Sequence, residues 1–135
     1  MSVLYKTVAV NETKTPNETR IENEWKIKVG SPSKGEEGAN PEQFMGMAWA
    51  TCLNLTIQAL MKARGWENQS RVRVEVELHP ETETKGLYFA LTAFVAVEGL
   101  EDEKVTQLAE QAHKRCPVSK LISANEYIDV QTEAY

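Results

Sequence analysis

The sequence predicts an α+β domain with the element order β-β-α-β-β-α-β. Three observations carry this expectation: apolar and charged residues alternate over Arg20–Val29 and again over Arg71–Leu78, the segment Gln43–Met61 holds no charged residue, and an amphipathic stripe ends at Cys116. Alternation at period two marks strands buried on one face, whereas a stripe at period 3.6 marks a helix. With 135 residues, 41% of them apolar and 26% charged, the chain has the size and composition of a single folded domain, residues 1–135.

Val3–Val10 reads as the first strand, and Asn11–Glu18, rich in Asn, Thr and Pro, as the turn that follows it. In Arg20–Val29 the apolar set Ile21, Trp25, Ile27 and Val29 alternates with Arg20, Glu22, Glu24, Lys26 and Lys28, predicting one half-buried strand. The loop Gly30–Ala39 carries three glycines and a proline and delivers the chain to the central helix.

Both ends of that helix are encoded locally. Asn40 suits the N-cap, Pro41 the first helical position and Gln43 the third, an Asn-x-x-Gln form of the capping box. Glu42 falls in the first turn, where the helix dipole favours an acid. Lys62 and Arg64 close the last turn and Gly65 suits a left-handed C-terminal cap, so the helix is expected over Pro41–Arg64. Its charge-free stretch of 19 residues approaches the length of a membrane span. Gln43, Thr51, Asn54, Thr56 and Gln58 argue against a span, because hydrocarbon would leave their polar groups unpaired. A helix buried on nearly all sides in a protein core is the better reading.

After it, Val72, Val74, Val76 and Leu78 alternate with Arg71, Arg73, Glu75 and Glu77 as a third strand. Pro80–Gly86 is a turn, and Leu87–Val97, apolar on both faces, is a central strand. A second helix carries Val105, Leu108, Ala109, Ala112 and Cys116 on one stripe, with Glu101, Asp102 and Glu103 at its start and Lys114 and Arg115 at its end. Pro117 stops it, Val118–Ala124 is a short turn, and Tyr127–Thr132 is the last strand. One sheet and one amphipathic helix leave part of an all-apolar helix uncovered. A second copy of the chain would supply that cover, which predicts a homodimer.

The net charge of -5 comes from 20 acidic and 15 basic residues dispersed along the chain, with no basic cluster able to neutralise several phosphates. Nucleic acid is therefore not an expected partner. The N-terminus lacks the apolar core of a secretory signal, so the chain is expected in a reducing cytoplasm, where two cysteines are not a structural disulfide framework. His113 and Cys116 at i, i+3 have only His79 and Cys52 as further ligands, a spacing that matches no zinc pattern, so no metal and no cofactor are expected.

Two blocks resemble a known family. Asn40-Pro41-Glu42-Gln43-Phe44, followed by Cys52 in Ala48-Trp49-Ala50-Thr51-Cys52, resembles the helix signature of the OsmC/Ohr thiol peroxidases. Ala112-His113-Lys114-Arg115-Cys116-Pro117-Val118-Ser119-Lys120 resembles its second motif. The resemblance implies an OsmC-like fold, an antiparallel sheet wrapped around a long buried central helix, in an intertwined homodimer with active sites at the subunit interface. It implies a cysteine-based peroxidase acting on organic or fatty-acid hydroperoxides, and on hydrogen peroxide less well. In that cycle Cys52 becomes a sulfenic acid, Cys116 resolves it to a disulfide, and an external dithiol of lipoyl type reduces the disulfide. Glu42 is carried over as the carboxylate that holds an activating cation.

Simple physical chemistry constrains those roles. Burial raises a thiol pKa, and Cys52 lies too far into its helix to use the N-terminal dipole, so it needs a cation from elsewhere. The family places an arginine beside glycines in the first hairpin, and no such pair precedes Gly30 here. Lys14 stands near that position and Arg20 is the only arginine in the region. Arg20 is favoured, because a planar guanidinium can bind carboxylate and peroxide together. Glu42 and Cys52, ten residues apart, are separated on a continuous helix by about 15 Å along the axis and about 80° in direction. Each site is thus expected to join Cys52 and Cys116 of one chain to Glu42 and the cation of the other.

Plainer readings exist for each residue. A buried cysteine is commonly a small hydrophobe, Glu42 stabilises a helix start, and Phe44, Met45, Met47, Trp49 and Met61 pack a core, an interface or an apolar pocket. The alternative function is a non-catalytic dimer of the same fold that lacks the hairpin arginine; a thiol-disulfide exchange protein is a third.

Overall fold

The computed structural model describes residues 2–135, which divide into two compact units, residues 2–41 and 42–135. In the first, β1 (Ala9–Val10), β2 (Glu18–Ile21) and β3 (Lys26–Lys28) form an antiparallel sheet in that order. The single strand expected over Arg20–Val29 is therefore two strands and a tight turn. Asn23 sits at φ 63°, a left-handed conformation that asparagine tolerates, and the Ile21 amide donates to the Trp25 carbonyl at 2.8 Å. Thr19 pairs with Ile27 and Arg20 with Lys26, so the alternation of faces continues through the hairpin and hides the reversal. The strand expected over Val3–Val10 shrinks to Ala9–Val10, because the chain turns at Asn23 just after the Glu22 amide donates to the Val8 carbonyl at 2.9 Å.

The long helix α1 (Pro41–Ala63) is continuous. It begins where the Asn-Pro pair predicts and ends one residue before the expected Arg64. Gly65, at φ 72°, accepts the left-handed cap; its amide donates to the Lys62 carbonyl at 3.1 Å and the Trp66 amide to the Met61 carbonyl at 2.9 Å. These two bonds are the Schellman pattern that satisfies the last carbonyls of a helix.

In the second unit β4 (Ser70–Pro80) and β5 (Leu87–Val97) pair antiparallel, with Val72 opposite Val95, Val74 opposite Ala93 and Val76 opposite Leu91. β6 (Ile128–Thr132) lies on the other side of β5 and runs parallel to it, so β5 is central as expected while the sheet is mixed rather than wholly antiparallel. The cause is the connection: α2 (Asp102–Arg115) and α3 (Pro117–Ile122) carry the chain back along the sheet, the crossover that parallel pairing requires. α3 replaces the expected turn at Val118–Ala124.

Leu91, Ala93, Val95 and Val97 of β5 present one face to Trp49, Leu53, Ile57, Leu60 and Met61 of α1 and to Val105, Leu108, Ala109 and Ala112 of α2 in a single buried cluster. Within one chain α1 is thus buried along one stripe. Two of its polar side chains are hydrogen-bonded: Asn54 Oδ1 accepts from Ser70 of β4 at 2.8 Å, and Thr56 donates to the Cys52 carbonyl at 2.9 Å. Met47 and Leu55, on a face without charge, are more than half exposed at 53% and 59%.

Candidate active site

Cys52 lies midway along α1, half-buried beside the fully buried Leu53. Cys116 lies at the joint between α2 and α3, fully buried. Pro117 creates that joint. It removes the amide that α2 would need to continue, drives Cys116 to an extended conformation (φ -63°, ψ 121°), and starts α3 from its first helical position. Reading Pro117 only as a stop signal missed this second role.

The joint faces Cys52. Both cysteines are free thiols, and Cys116 lies within hydrogen-bonding reach of Cys52. The first turn of a helix has amides without intrahelical partners, and with Pro117 carrying none, the next two are those of Val118 and Ser119. The Val118 N–H donates to the Cys52 sulfur, and the Ser119 N–H donates to Cys116 Sγ at 3.4 Å. Each sulfur therefore has its own backbone donor.

Burial pushes the Cys52 thiol above its ordinary pKa, and the neighbouring Cys116, as a hydrogen-bond partner and a like charge, pushes it the same way. The Val118 amide opposes both, because a donor favours the thiolate. The net effect in the single chain is a thiol pKa above its ordinary value.

A buried side-chain bond accompanies the thiol pair: Trp49 Nε1 donates to Ser119 Oγ at 2.9 Å, with both residues at 0% exposure. The Trp49 ring also lies against His113, centroids 6.3 Å apart. Val118 and Ser119 had no role in the sequence-derived site, and Trp49 was read there only as a residue of a core, an interface or an apolar pocket. Only Cys-Pro followed by a serine at i+3 of the cysteine hinted at a cap.

Glu42 occupies the first turn of α1, as expected. It borders an apolar groove of about 840 Å³ with Met45, Leu78, Phe89, Leu91 and Leu121, and Cys52 is not among the residues that line it. The unbroken helix keeps Glu42 and Cys52 about 15 Å apart along the axis. In the first unit Arg20 is ion-paired with Glu12, and Lys14 lies in the turn closed by the Thr15 amide on the Glu12 carbonyl. Among the described residues no group of three or more His, Cys, Asp and Glu is gathered for a metal ion.

Residues 33–132 match the OsmC-like protein family. The chain is 30% identical over 107 residues to organic hydroperoxide resistance protein OhrB of Bacillus subtilis, a span covering 79% of this chain and 77% of that protein. It is 26% identical over 106 residues to peroxiredoxin OsmC of Escherichia coli, covering 75% and 72%. The crystal structure of Bacillus subtilis OhrB has the same fold, with a TM-score of 0.83 at 23% identity over 98% of this chain and 100% of that one. The first hairpin, with Lys14 and Arg20, precedes the matched region, whereas Glu42, Cys52 and Cys116 fall inside it. The chain belongs to the OsmC-like protein family.

Proposed function

We propose that this protein is a cysteine-based peroxidase that reduces organic or fatty-acid hydroperoxides, with hydrogen peroxide a poorer substrate. The observation that carries the reading is the facing pair of free thiols, Cys52 and Cys116, each with a backbone donor at its sulfur. Cys52, as thiolate, attacks the terminal peroxide oxygen; the O–O bond breaks, the alcohol leaves with a proton, and Cys52 holds a sulfenic acid. Cys116 then condenses with it, and an external dithiol, of lipoyl type by family resemblance, reduces the resulting disulfide. The names of the relatives, hydroperoxide resistance protein and peroxiredoxin, support the same chemistry.

The working unit in this reading is a homodimer in the cytoplasm. The uncharged, exposed face of α1 at Met47 and Leu55 supports a covering partner chain. Glu42, held far from Cys52 by its own helix, serves the partner's Cys52 and orients the activating cation there, Arg20 in preference to Lys14. That cation lowers the Cys52 pKa and polarises the peroxide.

Stopped-flow mixing of the reduced protein with cumene hydroperoxide, beside Cys52→Ser, tests the reading. A rapid Cys52-dependent consumption of peroxide is the expected result, and its absence would sink it. The second reading, a non-catalytic dimer of the same fold, is favoured by two observations: the Cys52 thiol is raised and Arg20 is engaged by Glu12. The same assay separates the two.

A further inference from the structure

Two links cross from α1 to the segment Cys116–Ser119. One is the thiol pair and the other is the bond from Trp49 Nε1 to Ser119 Oγ. Trp49 precedes Cys52 by three residues and Ser119 follows Cys116 by three, so the links lie one helical turn apart on both sides. Both ends of the second link are fully buried, where either polar group would be costly without its partner. An apolar pair would fill the same space with less constraint. Ser119 also holds Cys116 Sγ through its own amide, so one residue ties the second sulfur to the helix that bears the first.

Resting on the peroxidase reading, we infer that Trp49 and Ser119 are positioning residues that set the reach between Cys52 and Cys116 for the disulfide-forming half of the cycle. In that step the Cys116 sulfur attacks the Cys52 sulfenic sulfur. The S–S bond forms, the S–O bond breaks, and the departing hydroxide takes the Cys116 proton to leave as water. A disulfide demands an S–S distance near 2.05 Å and a dihedral near ±90°, so closure is sensitive to the register of the two segments. Attack of peroxide on Cys52 makes no such demand. Loss of the Trp49–Ser119 bond should therefore divide the two steps.

The test uses the reduced full chain with Ser119→Ala, Trp49→Phe, the double variant and Ser119→Thr. Each is mixed with one equivalent of cumene hydroperoxide; sulfenic acid is trapped with dimedone and disulfide followed by loss of free thiol. Ser119→Ala and Trp49→Phe should form sulfenic acid within about twofold of the wild-type rate but close the disulfide about tenfold more slowly, the effect of one lost buried hydrogen bond. The double variant should be no slower than the singles, because one bond is lost in all three. Ser119→Thr, which keeps the hydroxyl, should recover. Unchanged closure in both single variants, equal slowing of both steps, or no recovery with threonine overturns the inference. Variants on both sides of the bond keep the test decisive if one of them does not fold. A parallel arm closes the disulfide with diamide, which takes two electrons and two protons from the thiols. If the wild type ignores peroxide yet closes with diamide, the peroxidase reading fails while the closure rates still judge the positioning role.

Discussion

Arg20 is ion-paired with Glu12 inside the first hairpin, so the preferred activating cation already has a carboxylate partner within its own chain. Half-exposed pairs of this kind are weak, about 0–1 kcal/mol, so a better-placed carboxylate can compete for the guanidinium. Glu42 of a second chain is the proposed competitor. Arg20→Met should then reduce kcat/KM for cumene hydroperoxide by a factor on the order of 10² to 10³, the scale of losing one preorganised electrostatic contact, while Lys14→Met changes it little. Glu12→Gln, which frees Arg20, should leave kcat/KM equal or higher. A double variant Arg20→Met, Lys14→Met with full activity would place the cation elsewhere.

The continuous α1 makes the origin of each site residue testable. Chains carrying Glu42→Ala retain Cys52, and chains carrying Cys52→Ser retain Glu42. If a site takes one residue from each chain, a heterodimer of the two holds one intact site and should show about half the wild-type turnover, although each homodimer is nearly inactive. Purified heterodimers assayed by peroxide consumption give the answer. No recovery in the heterodimer would return both residues to one chain.

What was legible in the sequence followed from local chemistry. The bounds of α1 were readable because Pro41 suits the first helical position, where no amide is needed, and Gly65 takes the left-handed conformation that ends the helix. β4 was readable because its alternation reflects the one face it buries, and β5 because it is apolar on both faces. The Asn23 turn was not, since a hairpin with matched register preserves alternation. Nor was the parallel direction of β6, a strand expected at its place but whose pairing is fixed by the crossover rather than by its own residues. The two cysteines stood out by residue type, whereas the Val118 donor is a backbone amide that any residue but proline would supply.

Gly65 offers a check on the reading of the α1 C-terminus. At φ 72° nothing lies within 4 Å of a built Cβ, so an alanine would meet no clash and the whole effect would be backbone strain. Gly65→Ala should cost about 1–2 kcal/mol by urea denaturation. Leu53→Ala, which opens a cavity in the buried cluster beside Cys52, should cost more, about 2–5 kcal/mol. Equal losses for the two would mean that the core near Cys52 relaxes freely around the missing side chain.

The raised Cys52 pKa ties the proposed dimer to the proposed chemistry. In the folded single chain, burial and Cys116 make the thiol hold its proton more tightly than in the unfolded chain. Between the unfolded and folded values the native state binds more protons, so this contribution to stability is fully present below the ordinary thiol value, about 8.5, and is lost as pH rises through the folded value. Leu55→Glu places a charge on the exposed uncharged face of α1, which a lone chain should tolerate and a buried interface should not. It is expected to elute as a folded monomer. Its Cys52 alkylation by iodoacetamide, measured with Cys116→Ala in the background, should titrate with a midpoint above about 8.5 because burial remains, whereas the Leu55 dimer with the same Cys116→Ala change should titrate lower as the partner's cation stabilises the thiolate. Identical midpoints in monomer and dimer would remove the partner chain from the activation of Cys52 and leave the Val118 amide as the thiolate's support.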